Sequence, residues 1–284
     1  MDREAELELI RRIYAKQVMA AAATVDRRLE KAFATVRREA YLGPGPWPIL
    51  RWGHGYVPSP SRDLAYLYDD VLVGIIPEQN LNNGQPSFLA ALIAAAAPRP
   101  GEHAVHIGAG VGYYTAILAA LAGRRGRVTA IEYEPELAHR LDANFRGTTN
   151  VEIVAGDGTQ IDFDAADVIF VNAGATQPAS IWLDRLNEGG RLILPLTTAG
   201  FSNGDVRHGA VFRIERHGNE FAARRVSAVA IFPCVGARDE AMGAALATAF
   251  AKGGAERVAR LYRRNDVPED QCWVSGKGWC LAYS

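Results

Sequence analysis

The chain has 284 residues, 49% of them hydrophobic and 22% charged, which suits one large core and excludes disorder as the main state. Lys and Arg number 31 against 32 Asp and Glu, and the Arg pairs at 11/12, 27/28, 37/38, 224/225 and 263/264 are scattered, so no basic patch for nucleic acid is visible. No stretch reaches the roughly 18 apolar residues of a membrane helix, and the opening MDREAELELIRR is too charged for a secretory leader; a cytoplasmic location without membrane contact is expected.

Leu7, Ile10, Tyr14 and Val18 recur at helical spacing, and a second helix is expected over about 25–40, so the chain opens with a helical cap. The stretch GPGPWPILRWGHGYVPSP, 43–60, is broken by Pro and Gly and reads as a linker or a lid. Helix and strand then alternate: helix 86–97 with Pro86 in its first turn, strand 104–107, helix 112–122, strand 127–132, helix 135–145, strands 151–156 and 167–173, helix 178–186, strand 191–196. Repeated βαβ units predict an α/β fold, a doubly wound, mostly parallel, Rossmann-like sheet. Residues 209–232 read as an antiparallel hairpin turning at HGN, followed by helices over 239–252 and near 254–264 and a last strand containing Trp279. The expected division is a cap and linker over 1–60, a core over 61–235 and an extension over 236–284. Cys234, Cys272 and Cys280 lack CxxC spacing and read as small buried thiols, not a disulfide framework; no spacing suggests a metal site.

Residues 104–114, AVHIGAGVGYY, carry the chemistry. A glycine directly after a strand permits a sharp reversal, and a second admits a ligand where a Cβ would stand; Gly108 and Gly110 fit these roles. The helix that follows points its N–H groups and positive dipole end at the same place. A dinucleotide fingerprint needs glycine at 113, where Tyr113 stands, so the NAD reading weakens. Glu132 ends the next strand, placed for ribose hydroxyls, and Asp157 in GDGT, 156–159, ends the third, placed for an adenine amino group. Three such features at successive strand ends point to an adenosine-bearing cofactor.

VHIGAGVGYYTAILA, VTAIEYEPELA, NVEIVAGDGT and LNEGGRLILPL, in that order, resemble the S-adenosylmethionine-dependent methyltransferases, most closely the protein-L-isoaspartate O-methyltransferases. LAYLYDDVLVGIIPEQNLNNGQPSFLAAL, similar to the family's segment ahead of the first core helix, and VRREAYL at 36–42 sharpen the likeness, which runs from about 30 to 235. The resemblance implies S-adenosyl-L-methionine as cofactor and a protein or peptide carboxylate as acceptor. It implies a cofactor site of His106, Gly108, Ala109, Gly110, Gly112, Tyr113, Glu132, Tyr133, Gly156, Asp157 and Gly158, and a methyl-transfer centre of Asn83, Gly84, Gln85 and Asn172.

Two positions depart from the family. Gly84 replaces a serine thought to orient the acceptor, and His106 replaces an acid, to hydrogen-bond in its place or to sit as a core residue. Asn172 reads equally as a turn cap. An ionised carboxylate acceptor needs no general base, which agrees with a segment 77–90 whose sole acid is Glu78 and which has no His or Lys. A different peptide or small-molecule acceptor, or binding without catalysis, stays open. Trp273, Trp279 and Tyr283 either line an acceptor cleft or pack a last strand on the core.

Overall fold

The computed structural model describes residues 3–198, 209–264 and 266–284. Eight α-helices lie within these residues: α1 (Arg3–Ala21), α2 (Arg27–Thr35), α3 (Glu39–Leu42), α4 (Pro86–Ala96), α5 (Tyr113–Ala122), α6 (Pro135–Asn144), α7 (Ser180–Asp184) and α8 (Glu240–Lys252). Four short strands form two small hairpins: β1 (Pro48–Arg51) with β2 (Gly55–Pro58), and β3 (Gly74–Ile76) with β4 (Leu81–Asn82). The rest build one sheet: β5 (His103–Ile107), β6 (Arg127–Glu132), β7 (Val151–Ala155), β8 (Ala166–Val171), β9 (Leu186–Thr197), β10 (Gly209–His217), β11 (Glu220–Ala228), β12 (Arg260–Tyr262), β13 (Cys272–Gly276) and β14 (Trp279–Ala282).

The sheet order is β7-β6-β5-β8-β9-β10-β11-β12-β14-β13. The pairs from β7 to β9 are parallel, as βαβ crossovers require, and all pairs from β9 outward are antiparallel. Both faces are covered, so the central strands are largely apolar and buried, with His106 and Glu132 among the buried polar exceptions. Val105, Ile107, Ile169, Leu194 and Phe212 face α7, α8 and the C-terminal tryptophans; Ala104, Val128, Phe170 and Ile193 face α1, α2, α4 and α5. Asp26 caps α2 through the amides of Arg28 and Leu29, Asp239 caps α8 through that of Met242, and Pro86 opens α4 where no intrahelical donor is needed.

Several expectations are corrected. The second helix stops at Thr35, because Val36 is extended (φ −75°, ψ 116°), and resumes as α3. The Pro- and Gly-rich stretch is neither a bare linker nor a lid over the sheet but holds the β1–β2 hairpin, anchored by buried Trp47 and Ile49. The helix near 254–264 is a single turn, Ala255–Arg257, then β12: Gly253 and Gly254 take positive φ (75° and 88°), and the edge of β11 offers Leu261 and Arg260 partners at Phe221 and Ala222. Cys272 and Cys280 are joined by a disulfide across the β13–β14 hairpin, with Cα atoms 6.3 Å apart; Cys234 is a buried thiol. The hairpin, not sequence spacing, brings the two sulfurs together.

Candidate functional site

Parallel strands end their backbone ladders at one edge, so the loops after β5, β6, β7 and β8 gather there. In the first loop Gly108, Gly110 and Gly112 all have positive φ (74°, 58°, 96°), but for different reasons. A Cβ at Gly112 meets Phe145 at 2.4 Å and Leu141 at 2.7 Å, so this glycine lets α5 pass under α6. A Cβ at Gly108 lies 3.2 Å from the Asn172 carbonyl oxygen. At Gly110 the nearest atom is Ile75 Cδ1 of β3, at 4.0 Å. Gly110 is therefore the one of the three where a Cβ would not clash.

Glu132 fastens this turn to the end of β6. Its side chain is 7% exposed; Oε2 accepts the Gly110 amide at 2.6 Å and Oε1 the Glu134 amide at 2.9 Å. Burial pushes the carboxyl up, and the amides of Glu134, Gly110 and Tyr133 pull it back. Three amides leave one lone-pair site of the carboxylate for a further donor. The Tyr133 ring beside it is exposed. Ala109 and Tyr113, by contrast, turn away from the edge: Ala109 packs with Ala130, Leu141 and Phe145, and the Tyr113 ring lies against Phe33, Tyr41 and Tyr114. Only their backbones belong to the turn.

At the end of β7, Asp157 Oδ1 accepts the amide and hydroxyl of Thr159 at 2.9 and 2.8 Å. Gly158 packs so closely that a Cβ meets Ile107 at 2.6 Å, and its carbonyl accepts Trp182 Nε1 at 2.8 Å; Gly156 (φ 142°) faces Ile161. A segment that sequence reasoning missed lies over this corner. Residues 233–237 run back across the edge through the Cys234 amide to Gly174 (2.8 Å) and the Thr176 amide to Ala237 (2.8 Å). Gly236 is pressed against Asp157, leaving 2.3 Å between a Cβ there and either carboxylate oxygen. Burial beside Asp157 pushes the Cys234 thiol up to about 12, so it stays neutral. The only signal was the glycine in PCVG.

Facing Gly110 is the β3–β4 hairpin. The Gly84 amide donates to Asn82 Oδ1 (2.8 Å), and the Asn83 amide donates to the Val73 carbonyl (2.8 Å) while its side chain is buried. Gly84 has φ 72°, and a Cβ there lies 2.8 Å from Leu89, so the family's serine does not fit without strain. The Tyr114 hydroxyl donates to the Gly84 carbonyl at 3.3 Å, tying the hairpin to α5. Gln85 precedes α4, exposed, and its Nε2 donates to Asp70 Oδ2 at 3.0 Å. Asn172, after β8, donates from its amide to Ile107 (2.8 Å) and from Nδ2 to the Gly108 carbonyl (3.4 Å), so it braces the glycine turn from beside it.

His106 sits one residue short of the end of β5 and points into the core. Its Nδ1 pairs with Thr115 Oγ1 at 2.9 Å, its ring stands edge-on to Phe170, and Nε2 has no partner. Burial pulls its pKa down to about 3, so the imidazole is neutral. Among the described residues no cluster of three or more His, Cys, Asp or Glu is arranged to hold a metal, and no helix is long and apolar enough to cross a membrane.

A family model for protein-L-isoaspartate(D-aspartate) O-methyltransferase matches residues 54–239. The protein-L-isoaspartate O-methyltransferase of Aeropyrum pernix is 32% identical over 203 residues, 69% of this chain and 68% of that protein. That of Thermotoga maritima is 29% identical over 178 residues, 61% of this chain and 51% of its own length, so the match spans about half of that relative. A solved protein-L-isoaspartate O-methyltransferase-type structure from Plasmodium falciparum, in complex with S-adenosyl-L-homocysteine, shares the fold with a TM-score of 0.60 at 18% identity, covering 79% of this chain and 97% of that one. With the glycine turn, the Glu132 latch and the facing hairpin in place on a methyltransferase-type sheet, the chain belongs to the protein-L-isoaspartate(D-aspartate) O-methyltransferase family.

Proposed function

We propose that the chain is an S-adenosyl-L-methionine-dependent carboxyl O-methyltransferase whose acceptor is the carboxylate of an isoaspartyl residue in a protein or peptide. The observation that carries this reading is the meeting of two segments. The glycine turn and the β3–β4 hairpin face each other, with Ile75 Cδ1 4.0 Å from where a Gly110 Cβ would stand, and the Tyr114–Gly84 bond ties the hairpin to the helix that follows the turn. A turn for the donor alone would not need that bond.

The residues present fit the cofactor. The space before Gly110 is what a Cβ would fill, Glu132 has acceptor capacity left for ribose hydroxyls, and Asp157 with Gly158 stands at the next strand end for adenine. Gly108, Gly110 and Asn172 would hold the methionine end. When bound, S-adenosyl-L-methionine supplies a methyl group activated by a positive sulfonium. The acceptor carboxylate is ionised at neutral pH, so no side chain has to remove a proton. The work left to the protein is alignment and exclusion of water. Burial pushes the Tyr114 phenol well above its usual range, so it remains a donor that holds the hairpin and is no base.

Gly84 favours a second reading with the same chemistry and another acceptor carboxylate, because the strained backbone there leaves no room for the family's serine. One assay separates the readings. The protein is incubated with methyl-labelled cofactor and either an isoaspartyl peptide or its aspartyl twin, and methanol from ester hydrolysis is counted. Label from the isoaspartyl peptide alone is the expected result. No ester, with S-adenosylhomocysteine still bound, moves the acceptor elsewhere; no heat of binding for that nucleoside overturns both readings.

A further inference from the structure

Asp70 lies in the segment that carries the family likeness but has been given no role so far, and its carboxylate reaches Gln85, one of the residues assigned to the methyl-transfer centre. Oδ1 accepts the Ser87 amide at 2.8 Å, and Oδ2 accepts the Ser87 hydroxyl at 2.6 Å and Gln85 Nε2 at 3.0 Å. Only the nitrogen end of the Gln85 amide can face a carboxylate, since its oxygen would meet two acceptors, so Asp70 settles which way the amide is turned. One N–H of the amide is spent on Asp70. The other, with Oε1, is left on the exposed side of Gln85.

Asp70 is itself held from below. Arg38 is fully buried and has no carboxylate partner among the described residues; Nη1 donates to the carbonyls of Leu67 and Asp69 at 2.6 and 2.9 Å, and Nη2 to that of Val71 at 2.9 Å. The guanidinium lies over the Tyr14 and Tyr113 rings, 5.9 and 5.8 Å from their centroids. Backbone on both sides of Asp70 is thus pinned by one planar cation, a geometry for which Arg is suited and Lys is not. Burying such a charge is costly, and three carbonyls of one loop with two ring faces from α1 and α5 are what offset it. A loop needed only to join β2 to β3 would not require this arrangement.

We infer that Asp70 is a positioning residue for methyl transfer: anchored through the loop that Arg38 holds, it orients the Gln85 amide so that the second N–H meets the acceptor carboxylate. This rests on the proposed carboxylate acceptor. No covalent step is assigned to Asp70. Its alternative role is that of a plain cap on α4, which the Ser87 contacts would serve without Gln85.

A double-mutant cycle on the full chain separates the two roles. Binding of an isoaspartyl peptide to protein saturated with S-adenosylhomocysteine is measured by calorimetry for wild type, Asp70→Asn, Gln85→Ala and the pair, alongside nucleoside affinity and urea unfolding. In Asp70→Asn the nitrogen that replaces one carboxylate oxygen favours the reversed Gln85 amide, so peptide affinity falls about tenfold, as for a lost hydrogen bond to a charged group. Gln85→Ala falls as far, and the double variant no further. Nucleoside affinity stays within about twofold throughout, and Ser87→Ala lowers stability without lowering peptide affinity. Equal losses from Asp70→Asn with and without Gln85 make Asp70 a cap only and overturn the inference. Wild type that binds the nucleoside but no peptide overturns the acceptor reading, and this inference with it.

Discussion

His106 and Glu132 stand a strand apart and respond to burial in opposite senses. For His106 the native pKa of about 3 lies below the ordinary 6.5, so on acidification the unfolded chain takes the proton first. Its contribution to stability is fully present above about pH 6.5 and is withdrawn at up to about 1.4 kcal/mol per unit as pH falls toward 3. His106→Leu removes that slope; thermal unfolding of wild type and variant at pH 7 and pH 5 is expected to converge on the acid side. A constant gap between the two curves would mean that the imidazole does not titrate with unfolding. Glu132→Gln keeps the volume but turns one backbone acceptor into a donor facing an amide. It is expected to weaken S-adenosylhomocysteine by about 1–3 kcal/mol in calorimetry, with a smaller drop in melting temperature.

The glycine turn shows how one motif divides its labour between packing and binding. Gly112→Ala drives a Cβ into Phe145 and Leu141 at positive φ and is expected to lower stability by about 2–4 kcal/mol, while the molecules that still fold bind nucleoside as before. Gly110→Ala places its Cβ only in ordinary contact with Ile75. It is expected to cost only about 1 kcal/mol of stability, yet to reduce nucleoside affinity at least about tenfold. Urea melts paired with calorimetry test both, and a swapped pattern would exchange the two assignments. On the facing hairpin, Gly84→Ser at φ 72° against Leu89 is expected to destabilise by about 1–3 kcal/mol without raising isoaspartyl turnover. An unaltered melt would show that Leu89 moves aside.

The sheet does not stop at the hairpin that closes most of the family likeness. The strands β12, β14 and β13 extend it beyond β11, and Trp273, Trp279 and Leu281 join the core on the face of α8. Trp273 packs on Phe212 and Phe250 at centroid distances of 5.4 and 5.1 Å, while Trp279 borders a cavity shared with Thr159, Gln160 and Gly236. Truncation after Gly254 removes two buried tryptophans, each worth about 3–5 kcal/mol, from a domain whose net stability is of order 5–15 kcal/mol, and bares the edge of β11. Circular dichroism of the truncated chain is expected to show no cooperative melt, and gel filtration to show aggregates. A monomer that melts near the wild-type temperature would make the added strands an independent appendage.

Local chemistry was enough for much of this protein: Pro86 opening a helix, Gly108 and Gly110 after a buried strand, acids at the ends of β6 and β7, and HGN between two alternating runs are all decided by backbone sterics and short-range periodicity. Tertiary structure decided the rest. Whether residues 260–262 became helix or strand depended on an open sheet edge far away in sequence, and the Cys272–Cys280 pair on a hairpin whose strands are ordered by that same edge. Gly112 differs from Gly110 only through Phe145, more than thirty positions on. Asp70 finds Gln85 because Arg38 holds the carbonyls beside it, and no periodicity records a side chain bonded to another segment's backbone. Contacts between distant segments are set by packing of the finished core, and the sequence carries them only as ordinary-looking residues.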